Sequence, residues 1–321
     1  MSDGPVRVAI LDDYQDVARE FGPWERLAGR VELTVFDDHL ADPEPLAARL
    51  AGFPVVVAMR ERTPFPAALL ARLPALRLLV TTGARNASID VAAARAQGVV
   101  VCGTRGSATA AAELTWALIL GLLRHVAAED RAVREGRWQH TVGGDLAGRR
   151  LGVLGHGRLG RQVAAVGVAF GMDVVAWSRS LTPGAEVAPG VRAVALDELL
   201  RSADVASIHL PLVPGTRGLI GARELELLGP QALLVNSSRG PIVDEAALLA
   251  ALADGRLGGA ALDVYDVEPL PVDHPLRRAP RTLLTPHVGY VTRGSYATFF
   301  ADAVEDVEAF LDGAPLRVLE A

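Results

Sequence analysis

The segment Leu151-Gly-Val-Leu-Gly155-His-Gly157-Arg-Leu-Gly160 decides how this chain should fold. An apolar, strand-like run leads into Gly-x-Gly-x-x-Gly, and a helix-like stretch follows from Arg161 to Phe170. The glycine pattern alone is a weak signal, because the chain has 32 glycines and glycine also forms ordinary turns. Its position between a strand and a helix is what a dinucleotide-binding turn requires. The segment therefore predicts a nucleotide site.

Each glycine of the turn has a separate expected role. Gly155 permits the tight turn, Gly157 lets the backbone approach a pyrophosphate, and Gly160 lets the helix pack on the strand. The phosphates would meet free N–H groups at the positive end of the helix. The intervening residues are candidate cofactor contacts too: His156, Arg158 and Leu159.

Apolar, β-branched runs alternate with helical stretches along the chain, which is typical of βαβ units. The expected strands of the first half are Val6–Leu11, Val31–Phe36, Val55–Ala58, Leu76–Val80 and Val99–Val101. Those of the second half are Leu151–Leu154, Asp173–Trp177, Val205–Ile208, Leu233–Asn236, Ala260–Asp263 and Leu283–Leu284. The fold class is α/β with two doubly wound parallel sheets. Since the turn lies mid-chain, we expect a dinucleotide-binding domain at 102–286, inserted in a flavodoxin-like substrate domain at 1–101 and 287–321.

Composition excludes several classes of protein. Half of the 321 residues are hydrophobic and 22% are charged, which excludes a disordered chain, and the net charge of −6 gives no basic footprint for nucleic acid. The apolar stretch Leu114–Leu123 is too short to span a membrane. The single cysteine, Cys102, cannot form an internal disulfide and is expected to be a packing residue. With no signal peptide visible, a cytoplasmic location is the expectation.

All 32 basic residues are arginine, and the chain contains no lysine. Schiff-base chemistry therefore has no amine side chain to use. The lysine of a P-loop is missing as well, which excludes the usual ATP-binding motif.

Three further segments carry a family resemblance. They are Val235-Asn-Ser-Ser-Arg239-Gly-Pro-Ile-Val-Asp244-Glu, Ala261-Leu-Asp263-Val-Tyr-Asp-Val-Glu268-Pro and Thr285-Pro-His287. Together with Ala112-Glu113-Leu114 and Ser207-Ile-His209-Leu-Pro211, their order and spacing resemble the D-isomer-specific 2-hydroxyacid dehydrogenases. The resemblance covers essentially the whole chain. It implies NAD(P)-dependent, reversible reduction of a 2-keto acid to the D-2-hydroxy acid, two Rossmann-like domains with a cleft between them, and usually a homodimer.

The chemistry of the three polar residues agrees with this activity. Hydride addition to a ketone builds negative charge on oxygen, so a proton donor and a fixed cation both stabilise the transition state. His287 and Arg239 fit these roles, because each follows an expected strand end, where open α/β sheets place ligands. Arginine also grips a carboxylate through paired hydrogen bonds. Glu268 would orient the imidazole and favour its protonated form.

Two of the other polar residues have alternatives that stay open at this point. By resemblance Asp263 contacts the nicotinamide end of the cofactor, but a residue at a strand end also caps turns. His209 lies either beside the cofactor or in a structural role. The remaining histidines show no metal-like spacing, so we assign no metal.

The substrate side departs from the family pattern. The loop reads Thr82-Gly83-Ala84-Arg85-Asn86, with Arg85 in place of a glycine. The family presents backbone N–H groups of this loop to the substrate carboxylate. Gly83, Ala84, Arg85, Asn86 and Arg60 are therefore candidate substrate contacts, with surface solvation as the alternative for both arginines. Tyr290 would narrow the pocket.

The end of the second strand of the nucleotide unit bears on the cofactor's form. An acidic residue there binds the ribose hydroxyls of NAD, whereas an arginine accommodates the 2′-phosphate of NADP. This chain has Ser178 where the acid would lie and Arg179 beside it. We expect NAD(P) with a preference for NADP(H), unless a carboxylate comes from elsewhere or Arg179 stacks on the adenine.

The sequence also bears on the oligomeric state and on an alternative function. Leu114, Leu118 and Leu122 recur at helical spacing within a helix of about Thr109 to His125, which either mediates a homodimer or is buried inside its domain. The alternative function is a non-catalytic, NAD(H)-sensing binding protein of the same fold, similar to a corepressor.

Overall fold

A computed structural model describes residues 4–107 and 109–320. By their internal contacts they form two units, Met1–Ser107 with Val291–Ala321 (unit 1) and Ala108–Tyr290 (unit 2). The division differs from the predicted boundaries by a few residues. One reason is that β5, Val100–Gly103, extends the first sheet beyond residue 101. The other is that backbone N–H groups just after His287 bond to Asp263 in unit 2.

Unit 1 is built on a five-stranded sheet in the order β2-β1-β3-β4-β5. Every strand pair in it is parallel. The strands are β1 Val6–Ile10, β2 Val31–Val35, β3 Val55–Ala58, β4 Leu78–Thr81 and β5 Val100–Gly103. β3 and β4 are buried along their whole length, as their unbroken aliphatic runs predict for a sheet covered on both faces. The order is that of a flavodoxin-like domain.

The helices of unit 1 are α1 Ala18–Phe21, α2 Pro43–Leu50, α3 Ala67–Leu70, α4 Val91–Ala96 and α11 Arg293–Leu311, with a 3-10 helix at Trp24–Leu27. Three begin at residues whose side chains accept a backbone N–H, which are Asp42, Asp90 and Thr292. The starts of α2, α4 and α11 are therefore determined by local sequence.

Unit 2 has an eight-stranded sheet in the order β13-β12-β11-β10-β6-β7-β9-β8. The strands are β6 Arg150–Leu154, β7 Asp173–Trp177, β8 Glu186–Ala188, β9 Val191–Ala193, β10 Val205–Ile208, β11 Leu233–Asn236, β12 Gly259–Leu262 and β13 Thr282–Leu284. Only β8 runs antiparallel to its neighbour. Strand order reverses at β6, which pairs with β7 on one side and β10 on the other, and this reversal is the Rossmann switch point. The predicted fold class is confirmed.

The helices of unit 2 are α5 Ala110–Leu123, α6 Val126–Arg134, α7 Arg158–Ala169, α8 Leu196–Ser202, α9 Ala222–Leu228 and α10 Glu245–Ala253, with 3-10 helices at Gly240–Ile242 and Pro275–Arg278. α5 packs on β11, β12 and β13 of its own unit. Leu118 and Leu122, two of the leucines considered for a dimer contact, lie in that core.

Over the described ranges no single helix is long and apolar enough to cross a membrane. By length and composition alone, α5 and α6 together pass that test as a pair bent by 63°.

Candidate active site

The nucleotide turn joins β6 to α7 at the switch point of the unit 2 sheet. Gly155 has φ +100°, and a Cβ there would lie 2.5 Å from the carbonyl oxygen of His209. A Cβ on Gly160 would lie 1.9 Å from the carbonyl oxygen of Gly155. Both glycines are therefore required by the packing of the protein itself.

Gly157 differs from these two. It directly precedes Arg158, the first residue of α7, and a Cβ built on Gly157 meets nothing within 4 Å. The protein's own packing thus gives no reason for a glycine at this position. A diphosphate lying against the first turn of α7 would give one, because a side chain would occupy its place. The turn fits a nicotinamide dinucleotide, with Gly155 to Gly160 as the residues that would hold it.

The three side chains within the turn have different surroundings. Arg158 is exposed and Leu159 is half-buried. His156 is buried, and among the described residues its Nε2 has no hydrogen-bond partner. Burial, together with the charge of Arg161, lowers the pKa of His156 and so favours the neutral ring.

The residues expected to discriminate NADP from NAD follow β7. Ser178 is half-buried, and its Oγ lies 3.2 Å from that of Ser180. Arg179 is exposed, and a Cβ built on Gly215 would lie 3.4 Å from its Nη1. The segment from 178 to 180 contains no carboxylate.

His209 follows β10 and contributes to the turn through its backbone. Its N–H donates to the Leu154 carbonyl at 2.7 Å, and its ring Nε2 lies 2.9 Å from Ser207 Oγ. Burial lowers the pKa of His209 to about 4. The imidazole is therefore a neutral, locally bonded group.

The catalytic candidates follow three neighbouring parallel strands of unit 2. Arg239 comes after β11, Glu268 after β12 and His287 after β13. Parallel strands end at the same edge of a sheet, so all three residues belong to one edge. Gly240 lies so close to the next loop that a Cβ on it would be 2.1 Å from the carbonyl carbon of Tyr265. This close approach ties the Arg239 segment to the loop that carries Glu268.

The structure brings Glu268 and His287 into direct contact. Nδ1 of His287 lies 2.5 Å from Oε2 of Glu268, and the other oxygen, Oε1, accepts the backbone N–H of Tyr265 at 2.9 Å. The imidazole and the carboxylate keep 20% and 31% of their side-chain surface exposed. With Nδ1 engaged, Nε2 is the ring nitrogen available for a substrate, and the pair can deliver a proton through it.

Arg239 is held on the same edge. Its Nη1 donates to the Ser238 carbonyl at 2.7 Å, and its own carbonyl accepts from Asn236 Nδ2 at 2.9 Å. These bonds limit where the guanidinium can lie.

Asp263 is fully buried, and it bonds to residues on both sides of His287. Its Oδ1 accepts the Thr285 hydroxyl at 2.6 Å and the Val288 N–H at 2.8 Å, and its Oδ2 accepts the Gly289 N–H at 2.9 Å. Desolvation raises the pKa of Asp263, and the bond from Thr285 opposes that rise. Asp263 thus positions the segment that carries His287, a role that its place at a strand end does not reveal.

The ring of Tyr290 packs edge-on against His287, with centroids 5.5 Å apart and planes at 75°. Tyr290 is therefore next to the imidazole of His287.

The remaining substrate candidates belong to unit 1, at the carboxyl ends of β3 and β4. Arg60 has φ +51°, and its Nη1 donates to the Thr82 carbonyl at 3.1 Å. Gly83 has φ +105°, while Ala84 and Arg85 are exposed. Asn86 is buried, and its Nδ2 donates to the Arg60 carbonyl and to Thr81 Oγ1 while its Oδ1 accepts the Ser88 N–H. Asn86 therefore holds the loop.

Sequence reasoning missed three supports of this site. The Tyr265 hydroxyl donates to the Thr285 carbonyl, the Thr285 hydroxyl donates to Asp263, and Ser237 Oγ lies 2.7 Å from Thr115 Oγ1 of α5. Tyr265, Thr285 and Ser237 lie within the segments that carry the family resemblance, which was the only available signal. Among the described residues, no group of three or more His, Cys, Asp or Glu side chains is placed to hold a metal ion.

Most of the chain is similar to proteins of known family. The D-isomer specific 2-hydroxyacid dehydrogenase NAD binding domain matches residues 116–289. A glyoxylate reductase of Aeropyrum pernix is 42% identical over 255 residues, which are 76% of each chain. A glycerate dehydrogenase of Methylorubrum extorquens is 36% identical over 290 residues, 87% of this chain and 89% of the relative.

A solved structure of a phosphoglycerate oxidoreductase from Vibrio cholerae superposes with a TM-score of 0.91 at 38% identity, covering 96% of this chain and 100% of the other. The chain therefore belongs to the D-isomer specific 2-hydroxyacid dehydrogenase family.

Proposed function

We propose that this D-2-hydroxyacid dehydrogenase reduces a short 2-keto acid, with His287 as proton donor, Glu268 as its partner and Arg239 as substrate anchor. The observation that carries the proposal is the 2.5 Å contact between His287 and Glu268, on the sheet edge that also holds Arg239. A proton donor and a fixed cation on one edge are what carbonyl reduction needs.

The residues divide the work as follows. A bound nicotinamide cofactor supplies the hydride. Nε2 of His287 gives a proton to the oxygen on which negative charge develops, while the Glu268 carboxylate stabilises the imidazolium beforehand. Arg239 holds the substrate carboxylate through paired hydrogen bonds, which keeps the carbonyl carbon in place.

Glyoxylate and hydroxypyruvate are the first substrates to test. Support comes from the names of the relatives, a glyoxylate reductase and a glycerate dehydrogenase, since oxidation of glycerate at C2 gives hydroxypyruvate. The ring of Tyr290 beside His287 also favours a small substrate side chain. For unit 1 alone, we propose that Gly83 and Ala84 offer backbone N–H groups to a carboxylate, that Arg60 and Arg85 add positive charge to this loop, and that Asn86 shapes it.

A panel of keto acids tests the substrate proposal. Glyoxylate, hydroxypyruvate, pyruvate, phenylpyruvate and a branched 2-keto acid would each be assayed with NADPH and with NADH. We expect the highest kcat/KM with glyoxylate or hydroxypyruvate. A preference for phenylpyruvate would contradict the proposal that the substrate side chain is small.

The proposed cofactor is NADPH. Ser178 and Arg179 supply a hydroxyl and a guanidinium where a 2′-phosphate would bind, and the segment has no carboxylate to repel it.

The non-catalytic alternative is not favoured, because the relatives carry the names of reductases and dehydrogenases. Turnover of any 2-keto acid in the panel would exclude it.

We also propose a homodimer, formed through unit 2. In unit 2, helix α6 and the segment that follows it to residue 142 expose four large apolar side chains. They are Val126, Val133, Trp138 and Val142, and Trp138 is 77% exposed. Sedimentation velocity at micromolar concentration should give a dimer, and a monomer would reject this proposal.

A further inference from the structure

Tyr265 lies between the ends of two neighbouring strands of unit 2. Its ring is buried, and its hydroxyl donates to the Thr285 carbonyl at 2.9 Å, with the Leu262 carbonyl at 3.3 Å. Leu262 is the last residue of β12, and Thr285 directly follows β13. One hydroxyl therefore spans the ends of the strands that lead to Glu268 and to His287.

The backbone of the same residue holds the carboxylate partner. The Tyr265 N–H donates to Oε1 of Glu268 at 2.9 Å, which leaves Oε2 turned to Nδ1 of His287. The side chain thus fixes the start of the His287 segment, and the main chain fixes the orientation of Glu268.

The Tyr265 hydroxyl stays protonated and can therefore always donate its hydrogen bond. Burial raises the pKa of Tyr265, with a smaller contribution from the charge of Asp263, so the hydroxyl keeps its proton at any working pH. A phenylalanine would fill the same space but would leave the Thr285 carbonyl without this donor. Packing of Gly240 on the Tyr265 carbonyl fixes the loop on its other side.

We propose that Tyr265 is a positioning residue that sets the geometry of the Glu268–His287 pair. The proposal rests on the function assigned above to that pair. Tyr265 touches no reacting atom in this account and acts only through the two residues that it holds.

The test is a double-mutant cycle with Tyr265→Phe and Glu268→Gln, assayed for keto-acid reduction. Tyr265→Phe should lower kcat about tenfold, less than the roughly 10²-fold that a 1 Å misplacement costs, and should leave the KM for the cofactor unchanged. In the Glu268→Gln background the same change should cost about twofold or less, because the pair it positions is already broken.

Tyr296→Phe is the control variant that shows how much the melting temperature falls when a buried phenol hydroxyl is removed. That hydroxyl bonds to Gln15 in unit 1 at 2.9 Å. Both tyrosine variants should lower the melting temperature by similar amounts, which removes stability as an explanation of the kcat effect.

Two outcomes overturn the proposal: an unchanged kcat in folded Tyr265→Phe, or an equal loss in both backgrounds. Failure of the proposed function looks different. If the proposed function is wrong, His287→Gln keeps wild-type turnover. If only the role of Tyr265 is wrong, kcat of His287→Gln still falls by about 10²–10⁴-fold, and only the coupling between Tyr265 and Glu268 is missing.

Discussion

Nδ1 of His287 lies 2.5 Å from Oε2 of Glu268, although 19 positions separate them in the chain. The contact forms because β12 and β13 are parallel neighbours, so that the residues following them meet at one edge. Asp263 and Tyr265, which follow β12, hold the His287 segment by hydrogen bonds. The geometry of the pair thus comes from the sheet and from these supports.

Glu268→Gln should lower kcat for keto-acid reduction and leave the KM for the cofactor unchanged. The carboxylate contacts Nδ1 of His287 and stabilises positive charge on the ring, whereas a neutral amide does not. The measurement is kcat with chemistry limiting, for both proteins. An equal kcat would mean that the contact has no part in proton delivery.

Arg239→Lys should lose most substrate use although the charge remains. An ammonium cannot reproduce a planar, two-donor contact with a carboxylate. We expect kcat/KM to fall by at least about tenfold, or roughly 1.4 kcal/mol. Arg192→Lys, an exposed arginine paired with Glu198 in the same unit, is the matched control. If Arg239→Lys changes kcat/KM no more than the control does, Arg239 is peripheral.

Arg179→Ala should weaken the use of NADPH and leave that of NADH nearly unchanged. The guanidinium would contact the 2′-phosphate, which only NADPH carries. The ratio of kcat/KM for the two cofactors checks this, with Arg192→Ala as the control for removal of an exposed arginine. A wild-type preference for NADH, or undiminished NADPH use in the variant, would contradict the proposed cofactor form.

Asp306→Asn should reduce the loss of stability that the wild type shows as pH rises. Asp306 is fully buried on α11 and is bonded to Arg317, and desolvation raises its pKa from 3.8 to about 7. The folded state therefore binds a proton more tightly than the unfolded state, and stability declines from about pH 4 to about pH 7. Asparagine carries no charge at any pH.

Urea unfolding at pH 5 and pH 8 measures the difference. The wild type should lose more free energy of unfolding between these values than Asp306→Asn does. Equal losses in the two proteins would show that Asp306 does not titrate in this range.

The sequence was enough to predict those parts of the fold that depend on local pattern. The predicted strands lie within a residue or two of the observed ones, since buried parallel strands require continuous aliphatic runs. The hairpin of β8 and β9 was missed. Its strands have three residues each, and β9 is ordered by pairing with β7, a contact that no local pattern reveals.

The polar residues of the site were named from motifs, but their roles depend on packing. Asn86 carries the same amide whether it faces a substrate or holds its own loop, and only the structure shows both ends of the amide bonded. The sequence assigns no role to Tyr265, because its hydroxyl finds partners only when β12 and β13 are adjacent. Leu118 and Leu122 have a helical spacing that suits a dimer or a core, and their burial places them in the core.

The most direct test of the account is keto-acid reduction by His287→Gln. The variant should fold and bind NADPH as the wild type does, measured by cofactor fluorescence, while kcat falls by about 10²–10⁴-fold as expected for loss of a general acid. A folded variant that binds cofactor and keeps near-wild-type turnover would contradict the assignment of His287 as proton donor.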